Sequence, residues 1–204
     1  MPSDRYSNYA DLMANEREGI DYGIVSVDRH SPVTIIAPHG GQIEPPTSAL
    51  ALAIAADDYN AYCFEGLRAG RQHHELHITS HSFDEPIGCE LIAKSDIVIA
   101  LHGRRDREEP ESVWIGGLDS GLCYGIASYL ARAGLPAATE GHEFPALGLA
   151  NICNRGRRKK GVQLEIPQRL RNMLSEDVAA FNQFANAIRS SIGDALQAEA
   201  NADK

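Results

Sequence analysis

The chain has 204 residues, of which 43% are hydrophobic and 23% are charged, a balance typical of a globular protein and unlike that of a disordered chain. Its formal net charge of −9 argues against general nucleic-acid binding, because the average surface field repels a polyanion. The length fits one domain with a sizeable core, which we expect at residues 1–198, followed by a frayed tail at 199–204.

No run approaches the roughly 20 apolar residues of a membrane helix, and the N-terminal residues lack the apolar stretch of a signal peptide. We therefore expect a soluble, cytoplasmic protein without a membrane partner, which would reach an extracellular substrate only after lysis. No pattern indicates an oligomeric state. The cysteines lack C-x-x-C spacing, so we expect free thiols and no cysteine-bound metal. They are Cys63, Cys89, Cys123 and Cys153.

Three short segments that are apolar on both faces and rich in β-branched residues predict buried strands, and apolar side chains at helical spacing predict helices between them. In chain order we predict a strand at 33–37, a helix that begins at Thr47 or Ser48, short strands at 60–64 and 76–79, a strand at 96–101, a helix from Asp119 to Gly134, a short strand at 137–139, a strand at 162–166 and a helix from 176 to about 198. This alternation favours a single α/β domain with a mixed, mostly parallel sheet and helices on both faces.

Two histidines and a glutamate lie at the ends of the three predicted buried strands. His39 and His102 each follow a strand and precede a glycine, and Glu165 is near the end of the third. Ligands of α/β sheets bind beyond the carboxyl ends of the strands. One such histidine could simply cap a loop by hydrogen bonding, but two of them favour a binding site.

The segment from His39 to Glu44 contains two glycines, which allow a tight turn that returns Glu44 towards His39. Zinc binds histidine nitrogen and carboxylate oxygen, and a catalytic site usually has three protein ligands and one open position. We therefore predict one zinc ion bound by His39, Glu44 and His102.

A zinc-bound water has its pKa lowered to about 7, but a base must still take its proton and pass it to the leaving group. Glu165 is the candidate, because partial burial at the end of an apolar strand should raise the pKa of its carboxyl group. The alternative is an edge-strand carboxylate that faces solvent.

Four further histidines form the main rival metal site. They lie close together in the chain, but in a strand only alternate side chains face one side, so we expect most of them around the site or on the surface, with His77 or His81 near the pocket. They are His73, His74, His77 and His81.

A basic run at 155–160 is conspicuous in an acidic chain. It could be a solvated loop, or it could attract a polyanionic substrate, since arginine binds carboxylates in a bidentate manner. The run lacks the aromatic residues on which bases stack, which again disfavours nucleic acid.

Several segments together match the pattern of one known family, over most of the chain. They are Ala37-Pro38-His39-Gly40-Gly41 with Glu44, Tyr62-Cys63-Phe64-Glu65-Gly66, Leu76-His77-Ile78-Thr79-Ser80 with Phe83-Asp84-Glu85-Pro86, Leu101-His102-Gly103, and Asn151-Ile152-Cys153-Asn154-Arg155 with Gly161-Val162-Gln163-Leu164-Glu165. With them the chain resembles the phage poly-gamma-glutamate hydrolases, small zinc peptidases related in fold to zinc carboxypeptidases.

The resemblance implies a residue-by-residue assignment of the site. The family's metal ligands fall on His39, Glu44 and His102, its catalytic glutamate falls on Glu165, and Asn154-Arg155 looks like the carboxylate-binding pair of zinc carboxypeptidases. The four residues between His39 and Glu44 depart from the carboxypeptidases proper, in which two residues separate the ligands.

The function expected from the resemblance is zinc-dependent hydrolysis of gamma-glutamyl amide bonds in poly-gamma-glutamate, an anionic polypeptide. One alternative is a zinc amidohydrolase of small N-acyl amino acids, such as acyl-glutamates or acyl-aspartates. Another is a non-catalytic module that binds an acidic ligand.

Overall fold

The computed structural model describes residues 4–107 and 109–202. Two short 3-10 helices, at His73–Glu75 and Ile152–Arg155, accompany the main elements. In chain order these are α1 (Tyr9–Asn15), β1 (Tyr22–Val27), β2 (Val33–Gly41), α2 (Thr47–Ala55), β3 (Asn60–Gly66), α3 (Pro86–Ala93), β4 (Ile97–Arg104), β5 (Val113–Gly116), α4 (Ser120–Arg132), β6 (Ala137–Ala138), β7 (Val162–Pro167), α5 (Gln168–Glu176) and α6 (Val178–Ala202).

The seven strands form one sheet in the order β1-β3-β2-β4-β7-β5-β6. Its centre is parallel, from β3 through β2 and β4 to β7. β1 runs antiparallel to β3 and β5 antiparallel to β7, and β6 is parallel to β5. The predicted α/β fold with a mixed, mostly parallel sheet is confirmed.

Each face of the sheet has its own hydrophobic core. Side chains of β4 alternate between them, with Ile99 in the core under α2, α4, α5 and α6 and Ala100 in the core under α1 and α3. His102 and Arg104 continue the series of Ala100. The candidate site therefore lies at the carboxyl end of the second face, and the prediction of helices on both faces is confirmed.

One predicted strand is wrong. Residues 76–79 alternate between buried and partly exposed side chains, as a strand would, but they form a loop after a 3-10 helix. Their backbone groups pair with side chains: the Ile78 carbonyl contacts His39 Nε2 at 2.8 Å, and Thr79 N–H donates to Asp4 at 2.9 Å. These bonds replace a strand ladder.

The C-terminal helix differs from its prediction at both ends. It begins at Val178, because the Asp177 carboxylate accepts hydrogen bonds from the backbone N–H groups of Ala179 and Ala180 at 2.9 and 3.0 Å. A separate helix, α5, precedes it. It extends to Ala202, beyond the predicted end at 198. Residues 203–204 of the predicted tail lie outside the described residues.

The cysteines are free thiols, as predicted. Across residues 4–107 and 109–202, none of the helices has the length and apolarity needed to cross a bilayer.

Candidate functional site

Strand register aligns His102, Glu165 and Trp114 in one row. His102 of β4 pairs with Glu165 of β7, which pairs in turn with Trp114 of β5. Directly paired residues point to the same face of a sheet. Glu165 therefore lies between His102 and Trp114 on the face that carries the site.

An irregularity at the end of β2 turns the chain towards this row. The register between β2 and β3 shifts between Ala37 and Gly40, and His39 lies within the shift. Gly41 has a φ of +58° and donates its N–H to Ser48 Oγ at 3.0 Å, a conformation that favours glycine. The turn brings Glu44 back beside His39, as the two glycines predicted.

The predicted metal ligands Glu44 and His102 both lie next to the third, His39. Its Nδ1 lies 3.1 Å from His102 Nδ1 and 3.5 Å from Glu44 Oε2. Its Nε2 contacts the Ile78 carbonyl at 2.8 Å. A carbonyl only accepts, so Nε2 carries a proton, and Nδ1 is the ring nitrogen that faces the other two side chains.

Glu44 is held in place through both of its oxygens. Oε2 accepts a hydrogen bond from Gly103 N–H at 2.7 Å, and Oε1 lies 2.7 Å from His73 Nε2. Burial on its own would raise the pKa of Glu44, but the charge of His39 and the contacts with His39 and His73 outweigh it and hold that pKa well below its ordinary value. Glu44 is therefore an ionised, oriented carboxylate.

His77 is a second histidine whose ring packs against His39. Within the described part of the chain, the group whose ligand atoms all lie within 4.8 Å of one another is His39, Glu44 and His77. The His77 and His39 rings are 3.8 Å apart, and His77 Nδ1 is 2.7 Å from Asp4. His77 is therefore the structural rival of His102 for the third ligand position, and its free nitrogen is Nε2.

Burial keeps both rival imidazoles neutral. Burial, followed by the charge of His39, lowers the pKa of His102 to about 3 and that of His77 to about 4. The neutral form is the one that binds a metal. Among the four histidines between residues 73 and 81, two are peripheral. His81 is exposed at the edge of the cavity, and His74 does not line the cavity.

Glu165 is only 7% exposed, and β7 is an inner strand of the sheet, so the alternative of a solvent-facing edge carboxylate is wrong. Its Oε1 accepts from Gln163 Nε2 at 2.9 Å. Burial, and then the charge of Glu44, raises the pKa of Glu165 well above its ordinary value despite the opposing charges of Arg104 and Arg171. The expected direction of the shift is confirmed.

Asn154 and Arg155, the predicted carboxylate-binding pair, form hydrogen bonds with groups of the protein. Asn154 accepts from the N–H groups of Leu118 and Gly161 and donates to two loop carbonyls at 2.8 and 3.0 Å. Arg155 donates to the carbonyls of Ala150, Phe83 and His81 at 2.6–2.8 Å.

Neither Asn154 nor Arg155 lines the cavity. Their donors and acceptors brace loops around a 3-10 helix, and we assign them that role in place of carboxylate binding.

Three further residues of the basic run pair with acidic side chains of the protein. Arg157 contacts Asp96, Arg158 contacts Glu199, and Lys160 lies 3.3 Å from Asp119. None of these basic residues lines the cavity. The run is therefore a partly neutralised surface loop.

A different set of arginines surrounds the site. A cavity of about 580 Å³ contains His39, Glu44, His102 and Glu165 in its wall. Its basic residues, which the sequence analysis did not single out, are Arg104, Arg105, Arg107 and Arg171. Their signal was the run Arg104-Arg105-Asp106-Arg107 directly after His102-Gly103.

Arg104 is buried against an aromatic ring. Its guanidinium carbon lies 3.6 Å from the centre of the Trp114 ring, and Nη2 donates to the carbonyls of Glu109 and Ser112 at 2.6 and 2.7 Å. Its Nε–H has no hydrogen-bond partner among the described residues. Burial lowers the pKa of Arg104, but arginine stays charged at any physiological pH.

The chain is similar to known proteins over most of its length. A family model described as poly-gamma-glutamate hydrolase matches residues 6–189. The SPbeta prophage-derived UPF0714 protein YoqZ of Bacillus subtilis (strain 168) is 36% identical over 192 residues, which are 93% of this chain and 66% of YoqZ. The chain thus spans about two thirds of the length of this curated relative.

Two solved structures are similar over nearly their whole length. A bacteriophage poly-gamma-glutamate hydrolase superposes with a TM-score of 0.90 at 28% identity, covering 96% of this chain and 99% of that one. A zinc-free apo form of YndL superposes with a TM-score of 0.86 at 30% identity, covering 95% of this chain and 99% of that one.

Proposed function

This chain belongs to the poly-gamma-glutamate hydrolase family, and from that premise we propose that it is a zinc-dependent hydrolase of the gamma-glutamyl amide bonds of poly-gamma-glutamate. The observation that carries the proposal is the convergence of His39 Nδ1, His102 Nδ1 and Glu44 Oε2 beside the buried Glu165 in one cavity. Three ligands and a nearby proton acceptor are the parts of a metal-assisted amide hydrolase.

The donor set fits one zinc ion. Two nitrogens bound to one tetrahedral zinc stand roughly 3.3 Å apart, close to the 3.1 Å between His39 and His102. The Ile78 carbonyl contacts Nε2 of His39, and Ser80 Oγ lies 3.3 Å from His102 Nε2, so Nδ1 is the nitrogen that each of the two histidines presents to the other. Such outer contacts orient metal ligands.

We keep His102 as the third ligand and assign His77 to the wall of the site. His102 lies on a central strand, whereas His77 lies on a loop and uses Nδ1 to contact Asp4 at 2.7 Å. The rival set of His39, Glu44 and His77 differs in one ligand. Zinc affinity of the His102→Ala and His77→Ala variants separates the two sets, because loss of a true ligand weakens binding more.

Zinc held by His39, Glu44 and His102 would supply a Lewis acid for the amide carbonyl and would lower the pKa of a water at the site. Glu165 would act as the base that takes a proton from the attacking water and passes it to the departing amide nitrogen. Its raised pKa suits this role, because a carboxylate with a raised pKa is a stronger base. The buried position of Glu165 keeps bulk water from competing for the proton.

The positive wall of the cavity supports an anionic substrate. Arg104, Arg105 and Arg107 follow His102 directly and line the same cavity, and a guanidinium group matches a carboxylate. Poly-gamma-glutamate presents one carboxylate for each residue. We therefore assign carboxylate recognition to this segment rather than to Arg155.

The test combines metal analysis with the chain length of the product. We expect about one zinc per chain, shortening of poly-gamma-glutamate on size exclusion, loss of activity with a chelator and recovery with zinc. Poly-alpha-glutamate is the matched control, since it has similar charge but a different amide linkage.

The rival functions give other outcomes in the same experiment. Cleavage of acyl-glutamates with no change in polymer length would favour the small-substrate amidohydrolase. Retention of the polymer without cleavage in the zinc-loaded protein would favour a binding module. Equal cleavage of both polymers would overturn the gamma-glutamyl specificity.

A further inference from the structure

A chain of hydrogen bonds ends on Glu165. The backbone N–H of Cys153 donates to Asn151 Oδ1 at 3.1 Å, and Asn151 Nδ2 donates to Gln163 Oε1 at 2.8 Å. Gln163 Nε2 then donates to Glu165 Oε1 at 2.9 Å. Two amide side chains therefore connect a backbone donor to the carboxylate.

The direction of this chain is fixed at its far end. A backbone N–H can only donate, so the oxygen of Asn151 faces Cys153 and its NH₂ group faces Gln163. The oxygen of Gln163 must then face Asn151, which leaves its NH₂ group for Glu165. Every donor in the chain points towards Glu165.

The chain is anchored on rigid, buried structure. Gln163 is 4% exposed and lies on β7 two residues before Glu165, so both side chains are on the same face. Asn151 caps the 3-10 helix Ile152–Arg155. The hydrogen bonds of Asn154 and Arg155, described above, brace that helix, and they thereby fix Asn151 as well.

On the premise of the proposed function, we propose that Asn151 and Gln163 are positioning residues that determine which oxygen of Glu165 carries the proton. Because Gln163 presents a donor, Glu165 Oε1 is held as an acceptor. The proton exchanged during hydrolysis is then carried by Oε2. This assignment requires that the Gln163 amide donates to Glu165. A contact in which the Gln163 amide accepted a hydrogen bond from Glu165 would place the proton on the other oxygen.

A substitution at the far end tests this direction without changing Gln163 or Glu165. Asn151→Asp keeps an oxygen for Cys153 N–H, so the helix cap is preserved. Its second oxygen cannot donate, and the Gln163 amide should rotate so that its NH₂ group faces position 151. Gln163 then presents an oxygen to Glu165, which must hold a proton to make that bond.

We expect Asn151→Asp to lower kcat on poly-gamma-glutamate by about 100-fold, the scale of a lost general base, with KM changed less than threefold. Zinc content and thermal midpoint should be unchanged. Asn172→Asp is the control for the added charge, because residue 172 lines the same cavity but takes no part in the hydrogen bonds that connect Cys153 to Glu165. It should leave kcat within about twofold.

Gln163→Met provides a second variant that removes the donor without reversing it. We expect a kcat loss of about 10-fold, smaller than that of Asn151→Asp, because no oxygen is turned towards Glu165. A kcat within threefold of wild type in Asn151→Asp would overturn the proposal. If that variant does not fold, the same result in Gln163→Met would overturn it.

A measurement that needs no activity separates this inference from the proposed function. In NMR spectra of wild type, a Gln163 side-chain proton should show scalar coupling through the hydrogen bond to the Glu165 carboxyl carbon. In Asn151→Asp the coupling should move to the carboxyl carbon at position 151. Coupling to Glu165 in both proteins contradicts the inference, whereas an intact polymer with wild type contradicts only the proposed function.

Discussion

At the scale of single residues, Glu165 is the side chain on which the proposed chemistry depends. Replacing it with Gln keeps the size and removes the base, so we expect kcat to fall by roughly 10²–10⁴-fold, with zinc content unchanged. Because burial raises the pKa of Glu165 above its ordinary value of 4.5, wild-type kcat/KM should fall on acidification already above pH 4.5, as the base becomes protonated. Unchanged turnover of Glu165→Gln would sink the general-base role.

Gly103 is a second residue with a sharp requirement. A Cβ at this position would lie 2.7 Å from the Arg171 guanidinium carbon and 2.9 Å from Glu44 Cβ, and Arg171 is held there by the carbonyls of Ile166 and Pro45. We expect Gly103→Ala to destabilise the fold by about 1–3 kcal/mol. It should also weaken zinc binding, because the Gly103 N–H orients Glu44. Urea unfolding and zinc titration measure the two effects.

Gly193 supplies a matched control for that substitution. It lies within α6 (Val178–Ala202), and a Cβ there would have no neighbour within 4 Å. Gly193→Ala should therefore stabilise the protein by about 0.5–1 kcal/mol through helix propensity and leave zinc affinity unchanged. Destabilisation by both variants, or by neither, would contradict the steric argument at Gly103.

At the scale of elements, one carboxylate links α1 to the loop that carries the cavity histidines. Glu16 accepts from Tyr6 Oη at 2.7 Å and from both Nη atoms of Arg71 at 2.7 and 2.8 Å. The hydrogen bonds from Arg71, more than any other influence, lower the pKa of Glu16 from 4.5 to about 2. We expect Glu16→Gln to cost roughly 1.5–3 kcal/mol at neutral pH, the range for a hydrogen bond to a charged group.

The pH dependence of that loss has a definite sign. A carboxylate whose pKa is lowered on folding stabilises the protein above its unfolded pKa, so this contribution should disappear as the pH falls from about 4.5 to about 2. Over this window the urea midpoint should decrease more in wild type than in Glu16→Gln. Glu111→Gln, which removes an exposed pair with Arg169, should follow wild type within about 0.5 kcal/mol.

The strands that form the centre of the sheet could be predicted because their burial is uniform. The strands predicted at 33–37, 96–101 and 162–166 are apolar on both faces, and the structure has β2, β4 and β7 there. β5 has four residues and α1 has seven, too short for a periodicity to stand out. The prediction of a strand at 76–79 was wrong because distant side chains form the hydrogen bonds of its backbone groups. A local sequence pattern does not reveal such partners.

At the scale of the whole molecule, the site could be predicted where chain topology alone decides it. Parallel strands end at one edge, so His102 and Glu165 were expected at the same edge of the sheet, and the pairing of β4 with β7 makes them neighbours there. The role of Arg155 could not be decided in this way, because a basic residue next to a strand is equally consistent with a carbonyl, an acidic side chain or a substrate as its partner. Only the folded loops show that Arg155 binds carbonyls and that Arg104, Arg105 and Arg107 face the cavity.

The charge of the whole molecule and the charge of the cavity wall have opposite signs. The chain has a formal net charge of −9, which repels an anionic polymer at long range, so the proposed substrate requires local attraction by the arginines of the cavity. Arg105 is exposed in that wall, and we expect Arg105→Gln to lower kcat/KM on poly-gamma-glutamate about threefold at low salt, mainly through KM. The difference from wild type should shrink above about 0.5 M salt, where screening acts within a few ångströms. Arg157→Gln removes the same charge from a pair with Asp96 outside the cavity, and an equal loss there would show that net charge, and not the cavity wall, attracts the polymer.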